Sequence, residues 1–259
     1  MSARRDTKND PQSNGEYELL SWYCKSCVLD RKPISCFDIG AMHADWTYKA
    51  SEVAKINEIE FQAKVFEASP SQADRIQERI ENEGGEATEL CRRAVSHETG
   101  KAKFAITGDN TGSSSLVIDS TITDDQLIEV DTTTIDEEIG RSNWDFIDIV
   151  KIDTEGNDYS VIVGALDSLV KCRIGIIQFE YNWRWLNNHR SLKDVFELVS
   201  DLPYRLGKLC GDDIELYQHW HPELDRFIES NYVLLKYDLI DKLPATEHHF
   251  IGGNVSVKV

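Results

Sequence analysis

Apolar residues recur along the chain in alternating rhythms. Tyr17, Leu20, Cys24 and Cys27 fall at helical spacing and predict a helix over Glu16 to Leu29, which then caps the core. The unbroken apolar run Ile34 to Ile39 that follows has the look of a buried parallel strand. Trp46 to Asn57 reads as a helix and Phe61 to Glu67 as a second strand. Ser69-Pro70 turns into a helix from about Ser71 to Asn82, stopped by Gly84-Gly85. Glu89 to Ser96 is a third strand. Beyond it, segments at Lys103 to Thr107, Leu116 to Ile118 and Leu127 to Asp131, with the loop Gly108 to Ser115, read as an insertion beside the core. A short helix over Thr132 to Ile139, N-capped by Thr133 or Thr134, leads to a fourth core strand, Phe146 to Ile152.

Val161, Ile162, Ala165, Leu166 and Leu169 give Asp158 to Val170 one apolar stripe, the mark of an amphipathic helix, and Ile174 to Phe179 is the fifth core strand. Leu192 to Val199 reads as a helix, with late strands at Tyr204 to Cys210 and Tyr232 to Tyr237. Strand and helix alternating in this way predict an α/β fold with a Rossmann-like, doubly wound, mostly parallel sheet of seven strands. We expect a flexible lead over 1–15 and a single domain over 16–259 carrying the insertion at about 103–131.

Charge narrows the field of partners. Twenty-eight basic against 46 acidic residues leave a net charge of −18, which repels phosphate backbones and anionic lipids, so neither nucleic acid nor membrane is an expected partner. Apolar runs such as Ile174 to Phe179 are far shorter than the roughly 18 residues of a membrane span, and Met1 to Gly15 lacks the apolar stretch of a secretory signal. A cytoplasmic protein is expected. Six scattered cysteines do not suggest a disulfide scaffold; Cys24 and Cys27 form a C-x-x-C without the second pair a zinc site needs. Oligomeric state is not written in the sequence.

In a doubly wound sheet the ligand binds at the carboxyl ends of the strands. Asp38, Glu67, Asp153 and Glu180 all stand at such ends. The first loop, Asp38-Ile39-Gly40-Ala41-Met42-His43-Ala44-Asp45-Trp46-Thr47, has no G-x-G-x-x-G, which disfavours a dinucleotide pyrophosphate. S-adenosylmethionine has no phosphates, and its positive groups suit an acid-lined pocket. On that reading Asp38 meets its amino-acid end and Glu67 its ribose hydroxyls, with Gly40, Ala41, Trp46, Thr47, Ala68, Ser69 and Asp153 around them and Ser96 toward the adenine. Glu67 has an equally simple alternative as a cap of the helix after Pro70.

The strings Phe37-Asp38-Ile39-Gly40-Ala41, Val65-Phe66-Glu67-Ala68-Ser69-Pro70, Lys151-Ile152-Asp153-Thr154-Glu155-Gly156 and Ile177-Gln178-Phe179-Glu180-Tyr181 resemble, in order and spacing, the FkbM family of methyltransferases. The resemblance implies a Rossmann-like fold, S-adenosylmethionine as methyl donor, and transfer to a hydroxyl of a carbohydrate or secondary metabolite. The family loop commonly reads Asp-x-Gly-Ala-Asn-x-Gly, whereas Met42 and Ala44 stand here. Asp153, Glu155, Glu180 and His189 are candidates to take the hydroxyl proton. Close carboxylates are also the ligands magnesium or calcium prefers, although the spacing indicates no particular metal; the paired histidines 219/221 and 248/249 have no companion ligands. Tyr181, Asn182, Trp183 and Trp185 offer aromatic faces and an amide for an acceptor, or pack beneath the late strands. A non-catalytic nucleotide-binding partner protein is the alternative function.

Overall fold

The computed structural model describes residues 5, 6, 8–27, 33–83, 87–108, 114–252 and 254–259. Helix α1 (Glu16–Cys27) precedes strand β1 (Ile34–Ile39), α2 (Asp45–Ile56), β2 (Phe61–Phe66), α3 (Pro70–Glu83) and β3 (Thr88–Cys91). Strands β4 (Ala94–Val95), β5 (Gly100–Ala105) and β6 (Leu127–Thr133) come next, then α4 (Ile135–Arg141) and β7 (Ile147–Ile152). The chain continues through α5 (Asp158–Val163), α6 (Leu166–Val170), β8 (Ile174–Tyr181), α7 (Leu192–Leu198), β9 (Tyr204–Leu209), β10 (Ile214–Tyr217) and β11 (Ser230–Lys236). It closes with α8 (Tyr237–Ile240), β12 (Ala245–Ile251) and β13 (Val255–Lys258).

The main sheet has ten strands in the order β13-β12-β10-β9-β11-β8-β7-β1-β2-β3. It is mixed: β1, β2, β3, β7 and β8 run parallel, whereas β11 opposes both β8 and β9, β10 opposes β9, and β13 opposes β12. The seven-stranded, mostly parallel expectation is thereby corrected. Seven contiguous strands, β3 to β9 in sheet order, do share one direction apart from β11. The excess is β10, β12 and β13: β10 and β13 are only four residues long and β12 carries His248 and His249, so none offers the apolar run on which strand prediction rests.

Helices cover both faces. On one, α1 and α2 bury Leu19, Leu20, Tyr23, Trp46, Ala50 and Val53 against Cys36, Ile149, Ile176 and Val233. On the other, Ile135, Ile139, Val161, Ile162, Leu169, Leu192 and Val195 from α4 to α7 pack on Phe37, Ile39, Val150, Ile152, Ile177 and Phe179. Thr134 caps α4 by accepting from the Glu137 amide. The predicted helix over 158–170 breaks into α5 and α6 at Gly164, where a Cβ would lie 2.1 Å from the Ser96 carbonyl oxygen, so close approach of the chains there demands glycine.

The predicted third strand also divides, at Arg92-Arg93. Its first half pairs with β2, while its second half joins a separate three-stranded sheet in the order β4-β6-β5. No strand forms at Leu116 to Ile118. Buried Glu138 of α4 fastens this region to the core, bonded to Lys64 of β2, Arg93, Thr133 and Arg141. The Gly84-Gly85 stop and most of the 108–115 loop lie outside the described residues. All six cysteines are free thiols.

Candidate active site

Chain order reverses between β1 and β7: β2 and β3 extend the sheet on one side, β7 and β8 on the other. A cleft opens there at the carboxyl ends of the strands. Ile39, Gly40, Met42, Glu67, Ala68, Ser69, Asp153 and Thr154 line one side, and Ala94, Val95 and Phe104 of the smaller sheet, with Leu116 from the loop beside it, give an apolar wall. The loop after β1 reaches it on three left-handed residues, Gly40 at φ 76°, Met42 at 52° and Ala44 at 59°. Gly40 is obligatory, because a Cβ would fall 1.9 Å from the Asp153 carbonyl oxygen. Ala44, which stands where a glycine was expected, follows the left-handed path all the same.

The acids hold distinct positions. Asp38 is buried and accepts from the Thr47 hydroxyl at 2.6 Å; burial pushes its carboxyl up to about 6. Glu67 is buried on the cleft and accepts from the amides of Met42 (3.0 Å) and Ser69 (2.8 Å). Burial raises its pKa, and those amides partly offset the rise. It thus caps the turn before α3 while also facing the cleft. Asp38, Ala41 and Thr47 do not line the cleft: Asp38 is enclosed with Thr47 bonded to it, and Trp46 lies in the apolar layer under α1. Ser96 does not line the cleft either; its neighbours Ala94 and Val95 do.

Strand parity brings the remaining polar groups together. Asp38, Lys151 and Gln178 are partners in register across β1, β7 and β8, and all point to the face covered by α1 and α2. Lys151, which is buried, lies 3.0 Å from Asp153 and 3.9 Å from Glu16 at the start of α1. Burial alone would lower its pKa, but Asp153, Glu16 and Glu180 together raise it. Asp153 remains 40% exposed on the cleft. Around it, burial lifts Glu155 to about 8, Asp158 to about 7 and Glu180 to about 9, with the Asp153 charge the next cause in each case. Glu155 pairs with Arg184 at 2.9 Å.

The expected acceptor residues separate. Tyr181 is on the opposite parity from Glu180, buried against Trp185, Phe227 and Tyr232, with its hydroxyl donating to Asp225. Trp185 is fully buried and donates to the Glu180 carbonyl. Tyr181 is core because a strand sandwiched between two helical layers sends alternate side chains into each, and Trp185 packs onto it from the turn that follows. Asn182 caps a 3-10 helix (Trp183–Asn188) and donates to Glu180. Trp183 is exposed, and His189 sits exposed at the end of that helix, off the cleft. Sequence reasoning missed Asn9, Asn14 and Glu16. Asn9 donates to Glu180 at 2.6 Å and to Glu229, and buried Asn14 accepts from the Glu16 amide, so the lead at these positions packs against the sheet. Among the described residues no set of three or more His, Cys, Asp or Glu side chains is arranged to hold a metal, and no helix is long and apolar enough to cross a membrane.

Residues 38–206, well over half of the 259, match the model of the methyltransferase FkbM domain. The chain belongs to the FkbM methyltransferase family. No curated protein sequence matches it. Solved structures similar to this FkbM-family protein include an FkbM methyltransferase from Methylobacillus flagellatus KT, at 14% identity over 78% of this chain and 43% of that one, TM-score 0.49. Others are WbdD (11% identity, 89% and 41% coverage, TM-score 0.47) and TrmK of M. capricolum in complex with S-adenosylhomocysteine (11%, 79% and 62%, TM-score 0.41). The chain spans under half the length of the first two.

Proposed function

We propose that this FkbM-family chain transfers a methyl group from S-adenosylmethionine to a hydroxyl of a carbohydrate or secondary-metabolite acceptor. The observation that carries the reading is Glu67: a buried carboxylate at the end of β2 that faces the cleft and retains lone pairs beyond its two backbone amides. The donor set suits the cofactor. The carboxylates of Glu67 and Asp153 on the cleft match a ribose diol and a sulfonium, Asp38 stands enclosed behind the loop at the same strand edge to orient the amino-acid end, and the apolar wall of Ala94, Val95, Phe104 and Leu116 matches a purine ring. S-adenosylmethionine, when bound, supplies an electrophilic methyl group.

The residues of the chain do the rest. Asp38 and Glu67, with Gly40, Ala41, Ala68 and Ser69 shaping the loops, hold the cofactor. Asp153, 40% exposed where the cleft meets the polar cluster, accepts the hydroxyl proton, with the ammonium of Lys151 3.0 Å away. Glu155, paired with Arg184, and Glu180, which accepts from Asn9 and Asn182, flank it with carboxyls whose pKa values burial and the Asp153 charge raise. Calorimetry tests the proposal: S-adenosylhomocysteine binds with low-micromolar affinity, and Glu67→Ala abolishes the heat. Absence of that binding together with heat from NAD overturns it. A protein that binds S-adenosylhomocysteine yet releases no labelled methyl group to any acceptor in a screen is the non-catalytic partner instead.

A further inference from the structure

Beside the cleft lies a second polar cluster that shares only Asp153 with the proposed cofactor site. One residue past the registered pair Ile152 and Phe179, Asp153 and Glu180 stand on adjacent strand ends. Because β11 runs opposite to β8, its beginning shares this edge, and Glu229 just before it joins Glu180. The side-chain amide of Asn9 spans the two, donating one N–H to Glu180 at 2.6 Å and the other to Glu229. Its carbonyl accepts from Asn14 at 3.2 Å and Asn231 at 3.5 Å. Below, Gln178 donates to Asn231 at 3.1 Å, while its own carbonyl oxygen, on a fully buried side chain, has no partner.

We propose that Glu180 and Glu229 form the hydroxyl-binding subsite for the acceptor, and that Asn9 of the amino-terminal segment occupies it as a stand-in until the acceptor displaces it. The role as an acceptor site rests on the methyl-transfer reading above. Two N–H groups held by two carboxyls reproduce what a vicinal diol presents, two donors a short distance apart. Asn9 is solvent-exposed, so it can leave without disturbing the core, whereas Glu180 and Asn231 are buried on the sheet.

The chemistry favours a neutral polyol. Burial raises the Glu180 carboxyl, so at neutral pH the pair offers a proton as well as acceptors, which suits hydroxyls that both donate and accept. A cation is already present: Lys151 faces Asp153, Glu16 and Glu180, with Asp38 beside it, while Arg184 is engaged by Glu155 and Asp158 lies beyond. An anion would meet five or more carboxyls.

Saturation-transfer NMR in the presence of S-adenosylhomocysteine tests this, with methyl α-D-glucoside, methyl α-D-mannoside, methyl α-L-fucoside, myo-inositol and ethanolamine as probes. Wild type shows weak transfer to at least one polyol. Asn9→Ala strengthens it at least threefold by removing the competitor, and Glu229→Leu abolishes it. Unchanged or weaker transfer in Asn9→Ala, no transfer to any polyol in either protein, or transfer to ethanolamine alone overturns the proposal. Calorimetry with S-adenosylhomocysteine runs alongside: affinity within twofold in both variants is expected. Loss of that affinity in wild type sinks the cofactor reading, while the polyol signals still report on the subsite.

Discussion

Gly40 and Asp158 show how single positions set the site. At Gly40 the left-handed backbone and a Cβ lying 1.9 Å from the Asp153 carbonyl act together, so Gly40→Ala forces β1 and β7 apart at their ends. We expect a loss of at least about 2 kcal/mol in urea unfolding and at least about tenfold in S-adenosylhomocysteine affinity. Unchanged affinity would remove Gly40 from the cofactor loop. Asp158, buried beneath the Gly156 amide at 3.2 Å, has its carboxyl lifted to about 7 by burial and by Asp153. A carboxyl raised in the folded state contributes stability that is fully present below its unfolded pKa and lost as pH climbs through about 7. Asp158→Asn imitates the protonated form, so the variant gains on wild type between pH 5 and pH 8 by more than about 1 kcal/mol. Urea curves at both pH values measure it, and an identical difference at each is the adverse result.

Strand β8 is the element on which the site turns. Its residues alternate between two helical layers, so Gln178 and Glu180 enter the polar cluster while Phe179 and Tyr181 enter the core. Run together as Ile-Gln-Phe-Glu-Tyr, those residues told nothing of which side each would take, because a strand buried on both faces has no solvent side to set the period. The 3-10 helix that follows repeats the division. Trp185→Ala should cost about 3–5 kcal/mol, since its ring is sealed against Phe179 and Tyr181, whereas Trp183→Ala should stay within about 0.5 kcal/mol. Thermal unfolding of the pair distinguishes them; equal losses would contradict the placement of Trp183 on the surface. Helix α1 shows the converse limit. Its apolar spacing was legible, but Glu16 at its first position looked like an ordinary favourable acid at a helix start until the fold set it 3.9 Å from Lys151.

For the molecule as a whole, a net charge of −18 means self-repulsion that salt relieves as the screening length falls from about 30 Å at 0.01 M to about 8 Å at 0.15 M. The melting temperature should therefore rise by a few degrees over that range in scanning calorimetry, and a fall would point to surface ion pairs as the larger effect. The sequence by itself determined the winding of the sheet around its switch point, since apolar runs and turn residues are local properties of the chain. It determined the acids Asp38, Glu67 and Asp153 at strand ends for the same reason, and the FkbM strings that carry them. Tertiary structure alone decided the rest. Whether β10, β12 and β13 would extend the sheet depended on pairing between strands that the local pattern does not announce. Which residues would meet at Lys151 depended on register across three strands and on a helix packed over them. Asn9 reached Glu180, 171 residues away, because the reversed β11 brought Glu229 to the edge where the amino-terminal segment lies.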